Sequence, residues 1–252
     1  MGTIFEYQGR YGAALKSKEE ALKTFRELQD RSFWMGEILS GYANSLSQVG
    51  RYDEAQKNLT EAMSLAKELQ NKTLVAQILN FQGDTFYYRG DLKSASDLFA
   101  QAVAASAKDV EKDTALLSKY NVAKCMVEEK RYKAAVAPLK TVAKDAYAAG
   151  LKNISTEATL ALAEALMNMK QYPAAKKELE TALNASDKLG LEVLLARSHY
   201  LLGRTLELSG GAAEASSHYA AAKRTLESVR QESGGSEAIV KRQDLAPISA
   251  QQ

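Results

Sequence analysis

The side chains best suited to metal binding or nucleophilic catalysis in this sequence are His199, His218 and Cys125. A zinc site needs several cysteine, histidine or carboxylate ligands, and a cysteine nucleophile needs a nearby base. No cysteine or carboxylate accompanies the histidines at ligand spacing, and no histidine lies near Cys125 in sequence. A glycine-rich phosphate loop is also missing, because Gly210 and Gly211 read as a turn. We therefore predict a protein that is not an enzyme and has no metal, catalytic or cofactor site.

Four charged residues of alternating sign recur at intervals of 40 residues. They are Asp84, Lys124, Glu164 and Arg204. On neighbouring helices they could pair into a ladder of ions, or they could contact a ligand directly, and the sequence leaves both interpretations open. Exposed pairs of this kind would contribute about 0–1 kcal/mol each.

The interval of 40 comes from an internal repeat. Six copies of one short phrase are spaced by 41 residues once and by 40 residues thereafter. The copies start at Gly9, Gly50, Gly90, Lys130, Lys170 and Gly210. A period of this size indicates one supersecondary unit that is stacked into an array.

Each unit reads as two helices, A and B, joined by the phrase as a tight turn. Between residues 73 and 110, apolar residues recur every three or four positions on both sides of Arg89–Asp91, as expected for two amphipathic helices. Small and large residues also recur at fixed positions, which favours close, interlocking helix packing. The small ones in helix A are Ala43, Gly83, Ala123, Ala163 and Gly203, and the large ones in helix B are Leu59, Phe99, Leu139, Leu179 and Tyr219.

These residues resemble the tetratricopeptide repeat, whose pattern places a small and a large residue in helix A and Ala, Leu or an aromatic, and Ala in helix B. The third repeat matches this pattern as Gly83, Phe86, Ala95, Phe99 and Ala102. The usual period is about 34 residues. The period of 40 is similar to the longer variants in kinesin light chains and maltose-regulator-type bacterial activators. The resemblance implies an all-α, right-handed α-α superhelix (a solenoid) of about five and a half repeats.

Two regions follow from this pattern. Residues 1–235 are predicted to form the solenoid, and residues 236–252 a short capping helix followed by a flexible tail. Gly2 aligns with the middle of helix A of later repeats, so the first repeat is incomplete at its N-terminus. We expect the chain to be a fragment of a larger regulatory or signalling protein.

The resemblance also implies a binding surface, because the A helices of this family line a concave groove that holds a peptide or a partner segment. Aromatic residues flanked by amides suit that role, although the aromatic residues could instead pack between repeats. The groove positions carried across are Asn44, Asn80, Phe81, Asp84, Tyr87, Tyr88, Tyr120, Asn121, Lys124, Glu164, Tyr200 and Arg204.

Composition narrows the class of partner. The chain has 252 residues, of which 33 are Lys or Arg and 31 are Asp or Glu, so the net charge of +2 gives no reason to expect nucleic acid. No apolar run approaches the roughly 20 residues that span a membrane, and no signal peptide is visible. We predict a cytoplasmic, non-catalytic protein–protein interaction module. The alternative is a scaffold that forms homo-oligomers through its end repeats.

Overall fold

The computed structural model describes residues 2–106 and 110–251. Met1 and Gln252, the outer bounds of the two predicted regions, lie outside the described part. Fourteen helices and no strand occur within it. The helices are α1 (Gly2–Tyr7), α2 (Tyr11–Glu27), α3 (Phe33–Gln48), α4 (Tyr52–Glu68), α5 (Lys72–Tyr88), α6 (Leu92–Ala105), α7 (Lys112–Glu128), α8 (Tyr132–Ala148), α9 (Lys152–Asn168), α10 (Tyr172–Leu189), α11 (Glu192–Leu208), α12 (Ala212–Glu232), α13 (Glu237–Val240) and α14 (Ala246–Ala250).

The first twelve helices form six pairs that stack in chain order. Each helix contacts the next one, and the first helices of neighbouring pairs, from α3 to α11, also contact one another. The predicted all-α solenoid is confirmed. Most of these helices have 17 residues, which accounts for the long repeat period.

The repeated phrase forms the turn within each pair. Its first residue has a positive φ in all six copies, from 61° at Lys130 and Lys170 to 96° at Gly210. The residue that follows donates its N–H to the carbonyl five positions earlier, as from Arg51 to Leu46 at 2.9 Å. This arrangement is a Schellman motif, in which glycine avoids the strain of the left-handed conformation. Lys130 and Lys170 adopt the left-handed conformation despite this strain.

Side-chain size is matched between the two helices of a pair. A Cβ added to Gly83 would lie 2.4 Å from the ring of Phe99, and one added to Gly203 would lie 2.9 Å from the ring of Tyr219. The repeats with Ala43, Ala123 and Ala163 at the same position instead carry Leu59, Leu139 and Leu179 opposite. A glycine therefore accompanies an aromatic ring, and an alanine accompanies a leucine, so each unit fills the same space.

This matching predicts that the effect of Gly83→Ala on stability changes sign when Phe99 is also replaced. Gly83→Ala is expected to destabilise the wild-type chain by about 1–2 kcal/mol, because overpacking against the fully buried Phe99 outweighs the gain in helix propensity. In a Phe99→Leu background, the same substitution recreates the pair Ala123 and Leu139, and we expect it to be neutral or stabilising. Urea unfolding of the four proteins tests this. Equal effects of Gly83→Ala in both backgrounds would contradict it.

The solenoid curves until its two ends touch. The Asn153 amide in α9 donates to the Tyr7 hydroxyl in α1 at 2.8 Å. Arg10 forms an ion pair with Glu232 of α12 at 3.7 Å, and Tyr11 packs in one cluster with Val229. The first pair of helices therefore contacts the fifth and sixth pairs, and the first helices of all pairs face a common centre.

For the C-terminal segment, the sequence predicts a short capping helix and a flexible tail. Residues 236–244 form only the four-residue helix α13 and then a turn, and Leu245 and Ile248 are buried in a cluster with Tyr11 and Leu226. The segment contacts the first pair of helices as well as the last one. Its apolar residues explain this packing, because they cover surface left between the two ends of the solenoid.

Candidate functional site

The concave side of the solenoid encloses a cavity of about 850 Å³, which we call the central chamber. It is lined by residues of α1, α2, α3, α5, α7, α9 and α11, together with Arg242 and Asp244 of the C-terminal segment. Every helix pair therefore contributes its first helix to one space. A volume of this size is within the range of ligand-binding sites in proteins, about 300–1,000 Å³.

The predicted groove residues separate into two groups. The chamber wall includes Asn44, Phe81, Asp84, Tyr87, Tyr88, Tyr120, Asn121 and Lys124. The residues that do not line it are Asn80, Glu164, Tyr200 and Arg204. Asn80 is fully buried between α5 and α7, where its amide donates to Ser118 and its carbonyl oxygen accepts from Asn121. Tyr200 packs on Tyr219, outside the chamber.

Lys124 and Asp84 form a buried charged pair in the wall, as Arg242 and Asp244 do. The Lys124 ammonium lies 3.2 Å from the Asp84 carboxylate, and both residues are less than a tenth exposed. The ammonium also lies 4.1 Å from the ring centre of Tyr87 and 5.5 Å from that of Tyr120. Burial raises the pKa of Asp84, and Lys124 opposes that shift. These aromatic residues therefore surround a cation that belongs to the protein.

The predicted ladder of charges has only this one step. Glu164 forms an ion pair with Arg197 of α11 at 3.8 Å, and the Arg197 side chain is nearly buried. The Arg204 guanidinium lies over the ring of Tyr200. Arg197 is two turns before Arg204 on the same helix, and a long arginine side chain reaches Glu164 from there. The Glu164–Arg197 pair takes the place of the expected contacts of Glu164 with Lys124 and Arg204.

Acidic groups outnumber basic ones along the chamber wall. Among the described residues, the basic ones on the wall are Lys18, Lys124, Arg197 and Arg242, and each has a carboxylate partner. Glu37 and Glu157 also line the wall, and neither forms an ion pair within the described residues. Burial raises the pKa of Glu157 to about 7 and that of Glu37 in the same direction. An uncompensated carboxylate in a cavity favours a ligand that brings positive charge.

Three contributors to the site were missed by the groove prediction. Trp34 of α3 lines the chamber and is 63% exposed, and Tyr7 of α1 lines it as well. Arg242 is 2% exposed, although the sequence placed it on a capping helix. The signal for its burial was the pattern of apolar residues around it, at Ile239, Val240 and Leu245.

A family model supplies the first comparison. The tetratricopeptide-repeat model matches residues 34–108. This segment consists of tetratricopeptide repeats. The same pair of helices, with the same turn, continues at the period of 40 through the other repeats of the described chain. No curated protein matches the sequence of the chain.

Solved structures share the fold of this solenoid along most of its length. A Rap protein complexed with competence and sporulation factor is 14% identical, with a TM-score of 0.70, over 98% of this chain and 72% of that one. PlcR of Bacillus thuringiensis, in complex with the peptide PapR7 and DNA, is 16% identical with a TM-score of 0.66, over 81% and 74%. BtubC (BKLC) from P. vanneervenii is 18% identical with a TM-score of 0.65, over 86% and 91%.

His199, His218 and Cys125 lie away from the central chamber. His199 and His218 face each other between α11 and α12, with their Nδ1 atoms 2.9 Å apart, and burial lowers the pKa of both. Burial raises the pKa of Cys125 to about 11, which disfavours the reactive thiolate. Among the described residues, no group of three or more potential metal ligands occurs. No helix in residues 2–106 or 110–251 is long and apolar enough to cross a membrane.

Proposed function

We propose that the chain is a non-catalytic protein-interaction module whose central chamber holds a peptide or an extended segment of a partner protein. The observation that carries this proposal is the convergence of the first helices of all six pairs on one cavity of about 850 Å³. Such a cavity is preformed, so the ligand alone pays the entropy of ordering.

The wall offers the two kinds of contact that an extended peptide needs. Trp34 and Phe81 present aromatic surface, on which apolar side chains of a peptide could pack. Amide side chains that line the wall, such as Asn44 and Gln77, can bond to a peptide backbone. The side-chain amide oxygen of Gln48, a residue that also lines the wall, is buried and accepts no hydrogen bond within the described part of the chain.

Charge adds a preference for the ligand. Glu37 and Glu157 favour a peptide with a lysine or arginine side chain or a free amino terminus. Two proteins of the same fold carry a bound factor or peptide in their structures, namely the Rap protein and PlcR. This likeness supports the class of ligand and does not identify the partner.

Self-association through the end repeats has less support. The N-terminal helices α1 and α2 already contact α9 and α12 of the same chain, so the predicted edge is partly covered. A cytoplasmic location stays part of the proposal, since the single buried thiol of Cys125 requires no oxidising compartment.

A display experiment tests the proposal. Random nine-residue peptides are selected against the full chain, and the affinities of the enriched peptides are measured by fluorescence anisotropy. We expect Trp34→Ala to weaken their binding by about tenfold or more, because this exposed ring lines the chamber. Tyr147→Ala is the matched control, since Tyr147 is similarly exposed, at 73%, but lies on α8 outside the chamber. Equal binding to both variants would rule out the chamber as the peptide site.

A further inference from the structure

The C-terminal residues 239–245, which we call the tail segment, lie against the chamber in the manner of a bound peptide. The Gln243 N–H donates to the carbonyl oxygen of Tyr88 at 3.2 Å, the last residue of α5. The carbonyls of a final helical turn have no partner within the helix, and that of Tyr88 accepts from the Tyr52 hydroxyl, at 3.4 Å, as well as from Gln243. The Gln243 side chain also donates to Glu128 of α7 at 3.3 Å.

Arg242 is the buried centre of the tail segment. Its guanidinium lies 4.1 Å from the ring centre of Tyr88 and 5.6 Å from that of Tyr11, and it donates to the Tyr11 hydroxyl at 3.2 Å. Two further hydrogen bonds, of 3.0 and 2.7 Å, join it to the two carboxylate oxygens of Asp244. Stacking on aromatic rings is a usual means by which proteins bind arginine, whereas the two-point bond to Asp244 lies within the tail segment and fixes its shape.

Apolar residues anchor the segment on both sides of this arginine. Ile239 and Leu245 are fully buried, and both belong to the cluster that contains Tyr11 and Val229. Main-chain pairing, one buried arginine and flanking aliphatic residues together have the anatomy of a peptide ligand, in which a few buried anchors supply most of the binding energy.

The connection to the solenoid allows the segment to leave. Gly234 and Gly235 join α12 to the tail, and both have a positive φ, of 77° and 76°. No atom lies within 4 Å of a Cβ built on Gly234. Glycine allows many backbone conformations, so this joint can change direction once the two hydrogen bonds between Gly235 and Arg230, of 2.9 and 3.0 Å, open.

We propose that the tail segment is an internal ligand of the solenoid, and that its site at Tyr11, Tyr88 and Glu128 also accepts such a segment from a partner. The fitting partner is a peptide with an arginine two residues before an acidic residue, flanked by aliphatic residues. The inference deepens the proposed function, because Arg242 and Asp244 line the chamber and their departure enlarges it. Tethering keeps the internal segment at a high effective concentration, so a free peptide binds weakly while the tail is in place.

The test uses the full chain and a labelled synthetic peptide with the sequence of residues 236–250. Arg242→Ala removes the buried anchor of the tail but leaves Tyr11, Tyr88 and Glu128 intact. We expect this variant to bind the peptide at least tenfold more tightly than wild type does, and its Gln243 amide to exchange hydrogen faster. Lys241→Ala is the matched control, because Lys241 is the exposed neighbour of Arg242 and should leave both measurements unchanged. A peptide with alanine in place of its arginine should bind neither the wild-type chain nor the Arg242→Ala variant.

Two results would overturn the inference. One is an Arg242→Ala chain that binds the peptide no better than wild type does, which would make the tail a fixed part of the fold. The other needs no variant. In the wild-type chain, hydrogen exchange at the amides of residues 243–245 should require a smaller opening free energy than exchange at residues 226–229 of α12. Equal protection of the two segments would contradict an internal ligand. Either failure leaves the proposed function standing if displayed peptides still depend on Trp34.

Discussion

Replacing Lys124 with alanine is expected to lower the free energy of unfolding by about 3–5 kcal/mol. The substitution leaves the Asp84 carboxylate buried without its cation, which lies 3.2 Å away in the wild-type chain. It also removes the ammonium that lies over the ring of Tyr87. Urea unfolding followed by circular dichroism measures the loss as a lower midpoint.

The pH dependence of this loss separates charge from packing. Burial already raises the pKa of Asp84, and removing Lys124 takes away the largest opposing influence. An acid whose folded-state pKa is raised is tolerated when protonated, and it costs stability as the pH rises through that pKa. The deficit of Lys124→Ala should therefore be larger at pH 8 than at pH 5. A deficit that does not change with pH would indicate lost packing alone.

Two controls define the origin of the effect. Arg26 and Glu61 form an ion pair of similar length, 3.1 Å, on the half-exposed outer surface. Arg26→Ala should cost about 0–1 kcal/mol, because water screens that pair. Replacing both buried partners, as Asp84→Leu with Lys124→Met, should recover most of the stability, since no charge is left buried. If Lys124→Ala costs no more than Arg26→Ala does, the pair behaves as a surface pair.

The helix pairs could be predicted from the sequence because their determinants are local and repeat. The turn phrase, the apolar spacing and the small residues each act within one unit, and stacking copies the same contact along the chain. Gly83 and Phe99, for example, lie in one helix pair, so their match is visible in the printed sequence.

The rest of the site depends on contacts that no single repeat contains. Arg242 meets Tyr11 across 231 positions of sequence, and Asn153 meets Tyr7 across 146. These contacts form only because the small rotation from each repeat to the next accumulates until the ends meet. Sequence spacing likewise placed Glu164 opposite Lys124 and Arg204, whereas the reach of Arg197 along α11 decided its partner.

Replacing Glu157 with glutamine is expected to stabilise the protein by about 3 kcal/mol at pH 8 and by only about 1 kcal/mol at pH 5. Burial raises the pKa of this carboxyl from 4.5 to about 7, against the opposing influence of Lys124. Above pH 4.5 the unfolded chain ionises Glu157 while the folded chain still holds its proton, so ionisation favours unfolding. This penalty grows until the pH passes the folded-state pKa, and an uncharged amide of the same shape avoids it.

The measurement is the unfolding midpoint of both proteins at intervals from pH 5 to pH 8, with the exposed Glu20→Gln as a control that should show no such trend. Parallel curves for wild type and Glu157→Gln would mean that water or a neighbouring group already compensates this carboxylate. The same ionisation affects ligand binding. If the chamber selects a cationic peptide, its affinity for wild type should rise between pH 6 and pH 8 as Glu157 loses its proton, and Glu157→Gln should remove that rise. Stability and binding at this residue therefore change in opposite directions with pH, because the carboxylate that destabilises the empty chamber attracts a cationic ligand.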